Sequence, residues 1–393
     1  MMPAARVQAA IEILDEVIAA ARGGGAAADT IVSRYFATRR YAGSKDRRAV
    51  REHVYRAIRA WPEPPASGRE AMLGVAAGDA ALAALFDGSA HGPAPAAETG
   101  SAPGGAAVPA WLASRFDPAV PPGEWPSLLG RAPLDLRVNR LRGSREEALA
   151  ALPEAVPTPL SPLGLRLPDG TRVEDEPAWN RGLVEIQDEG SQLLSLACTA
   201  GPGLTAVDLC AGAGGKTLAL AAEMANEGRL IAADTDRGRL SRMPPRLARA
   251  GVDIVEPRLL NPGREREALA DLAGGADLVL VDAPCSGTGT WRRNPELRWR
   301  LTEERLGSLV KVQAYLLDLA VELVRPGGLV VYAVCSLLAE EGRGQAEAFG
   351  ARSALVPEEP PIAAGRAAGP GLVLSPGQDG TDGFFVARWR APC

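Results

Sequence analysis

The sequence predicts an α/β protein: an open, mostly parallel sheet preceded by a helical region and a small α+β unit. Three observations carry this. Beyond residue 183, apolar runs at 205–210, 229–234, 253–258, 276–282 and 328–334 alternate with segments of helical period. The first run leads into Cys210-Ala211-Gly212-Ala213-Gly214-Gly215-Lys216, a glycine-rich turn that opens a helix. Near the N-terminus, Val7, Ile11, Leu14 and Ile18 instead form a stripe at helical spacing.

The 393 residues allow two or three domains and a core that is stable unaided. Five scattered cysteines form neither a disulfide framework nor a zinc spacing, and two histidines, His53 and His91, are too few for a histidine-based metal site or triad. No metal is therefore expected. No apolar run is long enough to cross a bilayer, and residues 1–22 lack the parts of a signal peptide, so the expected location is cytoplasmic. The net charge of −5 argues against a non-specific coat on nucleic acid but leaves room for a local basic surface.

Taken in order, residues 5–22 read as a helix closed by Gly23-Gly24-Gly25, followed by helices at roughly 28–38 and 45–60. The third carries Val50, Val54, Tyr55 and Ile58 on one face and Arg47, Arg48, Arg51, Arg56 and Arg59 elsewhere, which suits either a solvated face or one turned to phosphate. Residues 61–65 break the helix and 66–87 resume it. The stretch 88–110 is alanine, glycine and proline with little else, the composition of a flexible linker. A small strand–helix–strand unit is expected from 134–139, 144–152 with Ser144 as N-cap, and 164–167. A strand at 383–389 would close the large sheet. These elements suggest domains at 1–126, 127–176 and 177–393.

Ligands of open parallel sheets bind at the carboxyl ends of the strands, and the chemically capable residues fall there. The glycines let the backbone turn sharply and approach a ligand closely, and the helix after them offers free N–H groups and a positive dipole end. A small anionic or zwitterionic cofactor suits such a place. The turn is neither a Walker A loop, which would need glycine at Cys210, nor a full dinucleotide motif, since Thr217 stands at the third glycine position. Asp234 ends the second strand, where a carboxylate can accept from ribose hydroxyls; a surface acid opening a helix is the alternative. Asp208 could hold an ammonium or orient the turn. Asp282-Ala283-Pro284-Cys285 and Cys335-Ser336 end two further strands. Cysteines are often inert core residues, the expected role of Cys198 and Cys210, but Cys285 and Cys335 sit among turn-forming residues, and a thiolate is a strong nucleophile. Residues 291–300 interleave Arg292, Arg293, Arg298 and Arg300 with Trp291 and Trp299, a pattern that suits a nucleic-acid strand or an amphipathic loop with buried tryptophans.

At these residues the chain resembles the RsmB/NSUN family of RNA cytosine-5 methyltransferases, in particular its bacterial RsmB-like members. Residues 282–289, Asp-Ala-Pro-Cys-Ser-Gly-Thr-Gly, reproduce the family motif, and Arg292-Arg293-Asn294-Pro295 follows it. Residues 332–336 with Glu340-Glu341 resemble the second cysteine motif, 187–192 the segment leading into the catalytic domain, and 379–387 the closing strand. The likeness covers about 130–393; residues 5–60, with 41–48, look more weakly like a helical NusB-like domain. It implies a Rossmann-like S-adenosylmethionine-dependent methyltransferase sheet behind a NusB-like RNA-binding domain and an RNA-positioning unit. The implied nucleophile is Cys335, attacking carbon 6 of a cytosine, with Cys285 assisting proton removal and product release, and Asp282 contacting the base or cofactor. The cofactor would touch residues 210–216, Asp234, Asn261 and Asp282, and Arg292, Arg293, Arg298 and Arg300 would meet RNA. A monomer with a structured RNA partner, ribosomal above all, and no membrane partner is expected.

The chain departs from the family pattern in four places. Gly212-Ala213 replaces Ala-Pro, which loosens the turn. Asn261 stands where an adenine-contacting aspartate is expected. Ala333-Val334 replaces small hydroxyl residues, and Pro244-Pro245 should interrupt a helix expected over 236–250. Three other readings stay open: a degenerate RNA-assembly factor, a tRNA substrate, and a DNA cytosine methyltransferase using Pro284-Cys285.

Overall fold

The computed structural model describes residues 1–96 and 103–393; the part of the expected 88–110 linker at 97–102 lies outside them. The chain forms two compact units. The first comprises Met1–Arg115, Trp125–Gly130 and Thr290–Glu303, and the second Phe116–Glu124, Arg131–Gly289 and Glu304–Cys393. This division differs from the three sequential domains expected, because 290–303 packs with the helical unit.

The helical unit is built on helices Pro3–Gly23, Ala28–Ala37, Ser44–Ala60 and Gly68–Ala76. The apolar stripe of the first buries Val7, Leu14 and Val17 completely, and Gly24 ends it in the left-handed region at φ 73°. Asp46 turns back to accept from Gly43 N at 3.2 Å and binds the Met1 amino group at 3.0 Å, which ties the third helix to the first. The helix over 68–76 approaches the first so closely that a Cβ at Gly68 would lie 2.2 Å from the Ile11 carbonyl oxygen. Of the basic residues on the third helix, Arg47, Arg48, Arg51 and Arg56 are exposed.

Residues 290–303 supply Trp299 to this core. Arg298 is 2% exposed, and its guanidinium donates to the carbonyls of Ile58 at 2.6 Å, Ala107 at 2.8 Å, Trp61 at 3.2 Å and Pro295 at 3.2 Å. Arg300 donates to Gly25 O at 2.8 Å and to Ala26 O. Arg292 is buried and Arg293 half-buried. The expectation that these arginines meet phosphate is thus corrected for Arg298, which is buried with its donors on backbone carbonyls at a helix end and in loops; Arg300, half-buried, also gives donors to carbonyls. Burial and the like charge of Arg59 pull Arg298 down to about 10.

The second unit holds two sheets. The small one is antiparallel, with strands β1 (Leu134–Val138), β2 (Val156–Pro157), β3 (Gly164–Leu167) and β4 (Val184–Ile186) in the order β2-β3-β1-β4. It therefore runs past the expected boundary at 176, because β4 pairs with β1. Helix Arg145–Ala151 packs on it, opened as expected by Ser144, whose Oγ accepts from Glu147 N while Glu147 returns a carboxylate to Ser144 N.

The large sheet contains β5 (Thr205–Asp208), β6 (Arg229–Asp234), β7 (Val255–Leu259), β8 (Ala276–Asp282), β9 (Val324–Val334), β10 (Val356–Glu358), β11 (Arg366–Ala368), β12 (Gly371–Leu374) and β13 (Phe384–Arg390). Its order is β11-β12-β13-β9-β8-β5-β6-β7, with β10 also on β13. The five expected strands, β5 to β9, are parallel neighbours. The expected closing strand, β13, joins antiparallel. The central strands are continuously apolar, as burial on both faces requires: Ala206, Val207, Val279, Leu280, Val330 and Val331 are fully buried. At the edge, β7 exposes Glu256, and Arg229 and Arg258 bridge it to Asp271. The expected interruption at Pro244-Pro245 is present: helix Arg237–Leu240 stops and a second, Met243–Ala250, begins with the prolines in its first turn, where their missing N–H groups would have had no partner.

Arg298→Ala should lower the stability of the helical unit by about 3 kcal/mol, since several buried carbonyls lose their donor. A urea melt followed by tryptophan fluorescence measures this, and a change within about 0.5 kcal/mol would contradict the role.

Candidate active site

The chain leaves β5 toward β6 and β7, then returns through β8 to β9 on the other side. The strand order reverses between β5 and β8, and a crevice opens above their carboxyl ends. The glycine-rich turn enters it from β5. Leu209 N donates to Leu280 O at 2.9 Å and Ala211 N to Ala233 O at 3.0 Å, so the turn is stitched to both flanking strands. Gly212 and Gly214 take φ of 55° and 86°, and Gly214 N closes onto Ala211 O at 2.9 Å. Arg246, on the helix begun by the prolines, donates to Ala213 O at 2.7 Å and pairs with buried Glu185 of β4 at 3.1 Å. The proline-led helix thereby braces a turn that has no proline of its own.

Asp234 pins the same turn. Its Oδ2 accepts from Gly212 N and its Oδ1 from Asp236 N, both at 2.7 Å. Each carboxylate oxygen keeps a second lone pair for a hydroxyl. Asp208 is buried; its Oδ2 accepts from Thr217 Oγ1 at 2.7 Å, while its Oδ1 is buried without a partner in the protein. Asn261 is exposed, two residues past the end of β7. Helix Gly215–Glu223 opens above the turn, and a Cβ at Gly215 would meet nothing within 4 Å. Open space at a helix N-terminus, a carboxylate with spare acceptors and an orphaned buried carboxylate oxygen fit a group with an amine or hydroxyls to donate.

β8 and β9 run side by side with Asp282 opposite Ala333. That register brings the loops after them together, and Cys285 Sγ lies 3.3 Å from Cys335 Sγ. Lys216 reaches from the glycine turn to Asp282 at 2.6 Å. Burial opposes the lysine charge, but the Asp282 carboxylate and hydrogen bond outweigh it and hold Lys216 above the usual lysine range, helped by Cys335 and Asp208. Cys285 is pushed well above the usual thiol range by its hydrogen bond to Cys335, then by burial and the negative charges of Cys335 and Glu341. That environment favours keeping the proton on Cys285. By contrast Cys198 is buried in the core, as expected, and burial raises its thiol.

The structure adds residues that the sequence did not single out. Gln313, on helix Glu303–Leu323, donates to Pro284 O at 3.0 Å and to Glu341 Oε1 at 2.9 Å. Ser286 and Ser336, each following a cysteine, both bind Glu341. The signal was a repeated Cys-Ser dipeptide at 285–286 and 335–336. Gly289 crosses Gly383 so closely that a Cβ would lie 2.0 Å from its carbonyl oxygen. Among the described residues no group of three His, Cys, Asp or Glu is arranged to hold a metal ion, and no helix is long and apolar enough to cross a membrane.

Burial pushes Asp208 up to about 7, against the Thr217 hydrogen bond, which favours the anion. Between about 4, the ordinary aspartate value, and about 7 the folded state holds a proton that the unfolded chain has released, so stability falls as pH rises through that window. Asp208→Asn should raise the melting temperature by several degrees at pH 8 and hardly at all at pH 4. An equal effect at both pH values in a thermal melt would contradict this.

Residues 197–390 match the profile of the 16S rRNA methyltransferase RsmB/F family, and residues 108–174 that of an RsmF/B-like ferredoxin-like domain. The chain is 36% identical over 290 residues to ribosomal RNA small subunit methyltransferase B of Klebsiella pneumoniae (strain 342), a match that covers 71% of this chain and 65% of that relative's length. The solved structure of PH0851 resembles 99% of this chain and 99% of its own with a TM-score of 0.76 at 24% identity, a likeness of fold. A methyltransferase homologue from Pyrococcus horikoshii is 26% identical, with a TM-score of 0.61 over 69% of this chain and 90% of its own. Together the two profile matches span both cysteine loops, the glycine turn and much of the small sheet: this chain belongs to the RsmB/F methyltransferase family.

Proposed function

We propose that the protein methylates carbon 5 of a cytosine in structured RNA, with 16S ribosomal RNA as the favoured target, through a covalent bond between Cys335 and the base. The observation that carries this reading is the 3.3 Å contact between Cys285 and Cys335, set beside the Lys216–Asp282 pair at the end of the crevice. A metal-free aromatic methylation at carbon needs a nucleophile to break the ring's conjugation, and a second group to take the proton that the methyl displaces.

S-adenosylmethionine, bound against residues 210–216 with Asp234, Asn261 and Asp282 within its reach, supplies a methyl group on a sulfonium. The chain does the rest. A target base turned out of its stack enters between the ends of β8 and β9. The Cys335 thiolate forms a bond to carbon 6, and the ring electrons that leave the 5,6 double bond make carbon 5 nucleophilic. Asp282, held by Lys216, orients the polar edge of the ring. Once Cys335 is a thioether its charge is gone, and the largest obstacle to ionising Cys285, its hydrogen bond to that sulfur, goes with it. Cys285 releases its proton to water and takes the proton from carbon 5. The 5,6 double bond re-forms, and Cys335 leaves as a thiolate.

RNA contact through Arg292 and Arg293 stays part of this proposal. The exposed Arg47, Arg48 and Arg51 of the helical unit are a second basic surface for RNA. An RNA substrate of this kind belongs to the cytoplasm. The curated relatives extend beyond the 65% matched here, so target choice is a property proposed for the whole protein.

Cys285→Ala, incubated with S-adenosylmethionine and labelled total RNA, should trap an RNA adduct that survives a denaturing gel, and Cys335→Ala should not. Sequencing the trapped RNA names the target and separates ribosomal RNA from tRNA. An adduct that requires Cys285 instead would reverse the two roles. Absence of both adduct and wild-type methyl transfer would favour an RNA-binding assembly factor.

A further inference from the structure

Beside the two cysteines lies a carboxylate that the proposed reaction leaves unused. Glu341 is 0% exposed. Its Oε1 accepts from Ser286 N at 2.9 Å and Gln313 Nε2 at 2.9 Å, and its Oε2 from Ser336 Oγ at 2.6 Å and from Ser286 Oγ. Its backbone carbonyl accepts from Tyr332 Oη at 2.6 Å. These donors are all neutral, and they come from both cysteine loops, from β9 and from the helix over 303–323. A buried carboxylate is costly even when its hydrogen bonds are made, and a neutral side chain could fill the same volume. The charge therefore calls for a reason beyond packing.

We propose that Glu341 is a positioning residue of the two-cysteine site: it ties the Cys285 loop to the Cys335 loop so that their sulfurs meet, and its charge helps keep the proton on Cys285. The tie is geometric. Ser286 is the neighbour of Cys285 and Ser336 the neighbour of Cys335, and one carboxylate holds both. Ser286 and Ser336 also meet at 3.1 Å, and Thr288 Oγ1 lies 3.2 Å from Ser336 Oγ while it accepts from Leu337 N at 2.8 Å. The selection is electrostatic. The negative charge on Glu341 opposes a second negative charge on Cys285. Cys335 faces that thiol at 3.3 Å and Tyr332 of β9 lies near it, while a backbone hydrogen bond from Gly287 works the other way. Lys216, paired with Asp282, acts on the Cys335 side, and Cys210 on Tyr332. With Cys285 kept as the thiol, it can donate to Cys335 across the 3.3 Å contact.

The transfer readout below rests on the proposed function; the alkylation readout does not. Iodoacetamide alkylation of Cys285, followed across pH by mass spectrometry of its peptide, compares Cys335→Ala with Cys335→Ala/Glu341→Gln in the absence of RNA and cofactor. The midpoint for Cys285 should move about 1 pH unit lower when the charge is removed. With Cys335 intact, Glu341→Gln should lose methyl transfer on the order of 100-fold, as expected for a displaced nucleophile. Glu341→Asp should restore the Cys285 midpoint in the Cys335→Ala background without restoring the full transfer rate. An unmoved midpoint in a folded Glu341→Gln protein overturns the proton assignment, and undiminished transfer overturns the tie. If Glu341→Gln does not fold, Ser286→Ala and Ser336→Ala each remove one side-chain tie and keep the charge; they should slow transfer about 10-fold at an unchanged Cys285 midpoint, and full transfer in both overturns the proposal. Should the wild type methylate no RNA, the proposed function fails while the alkylation midpoint still decides the role of Glu341.

Discussion

The reversal of strand order between β5 and β8 is the constraint from which the site follows. Two parallel neighbours that send their connections to opposite sides leave their shared carboxyl ends uncovered. Into that gap come the glycine turn from β5 and the Asp282–Gly289 loop from β8. β9 adds its own loop one strand further on, and the pairing of Asp282 with Ala333 sets how far each loop has run when the cysteines meet. A slip of this register would carry Cys335 away from Cys285, because successive residues of a strand point to opposite faces.

Around that gap the protein concentrates negative charge. Asp208, Asp234, Asp282 and Glu341 all lie near the strand ends, and Lys216 pairs with Asp282. The other three are handled by different means. Asp234 is satisfied by backbone N–H groups, Glu341 by hydroxyls, an amide and a backbone N–H, and Asp208 is held near neutrality by burial. In a poorly screened interior each arrangement has a chemical consequence. The turn is fixed, the cysteine loops are joined, and a proton is held on Asp208 beside Thr217. In the proposed reaction the field that makes Cys285 hard to ionise weakens once Cys335 is alkylated, which would let the roles of the two thiols follow one another.

The arginines of 291–300 show how composition misleads. A guanidinium carries five donors and serves phosphate oxygens or backbone carbonyls equally well. In Arg298 the structure uses it for carbonyls of Ile58, Trp61 and Ala107, so a segment that reads as an RNA contact is in part the seam of a helical core. Trp299, its neighbour, is buried in that core, as the amphipathic alternative required.

The sequence by itself determined the sheet, because buried parallel strands must be continuously apolar and the inner stretches of β5, β6, β8 and β9 are. It determined the glycine turn, since Gly212 and Gly214 take a backbone conformation that side chains resist. The adjacency of two cysteines 50 residues apart could be read from their places at the ends of two strands expected to be neighbours, while their separate roles came only from the resemblance to known proteins. Tertiary structure decided what depends on partners distant along the chain. It gave Arg298 to carbonyls, extended the small sheet to β4, and turned Pro244-Pro245 from a defect into the start of a bracing helix. It also made Glu341 the junction of both cysteine loops. A carboxylate after a cysteine motif is unremarkable in sequence; only folding removes water from it, and only then do its charge and its hydrogen bonds act on the sulfurs beside it.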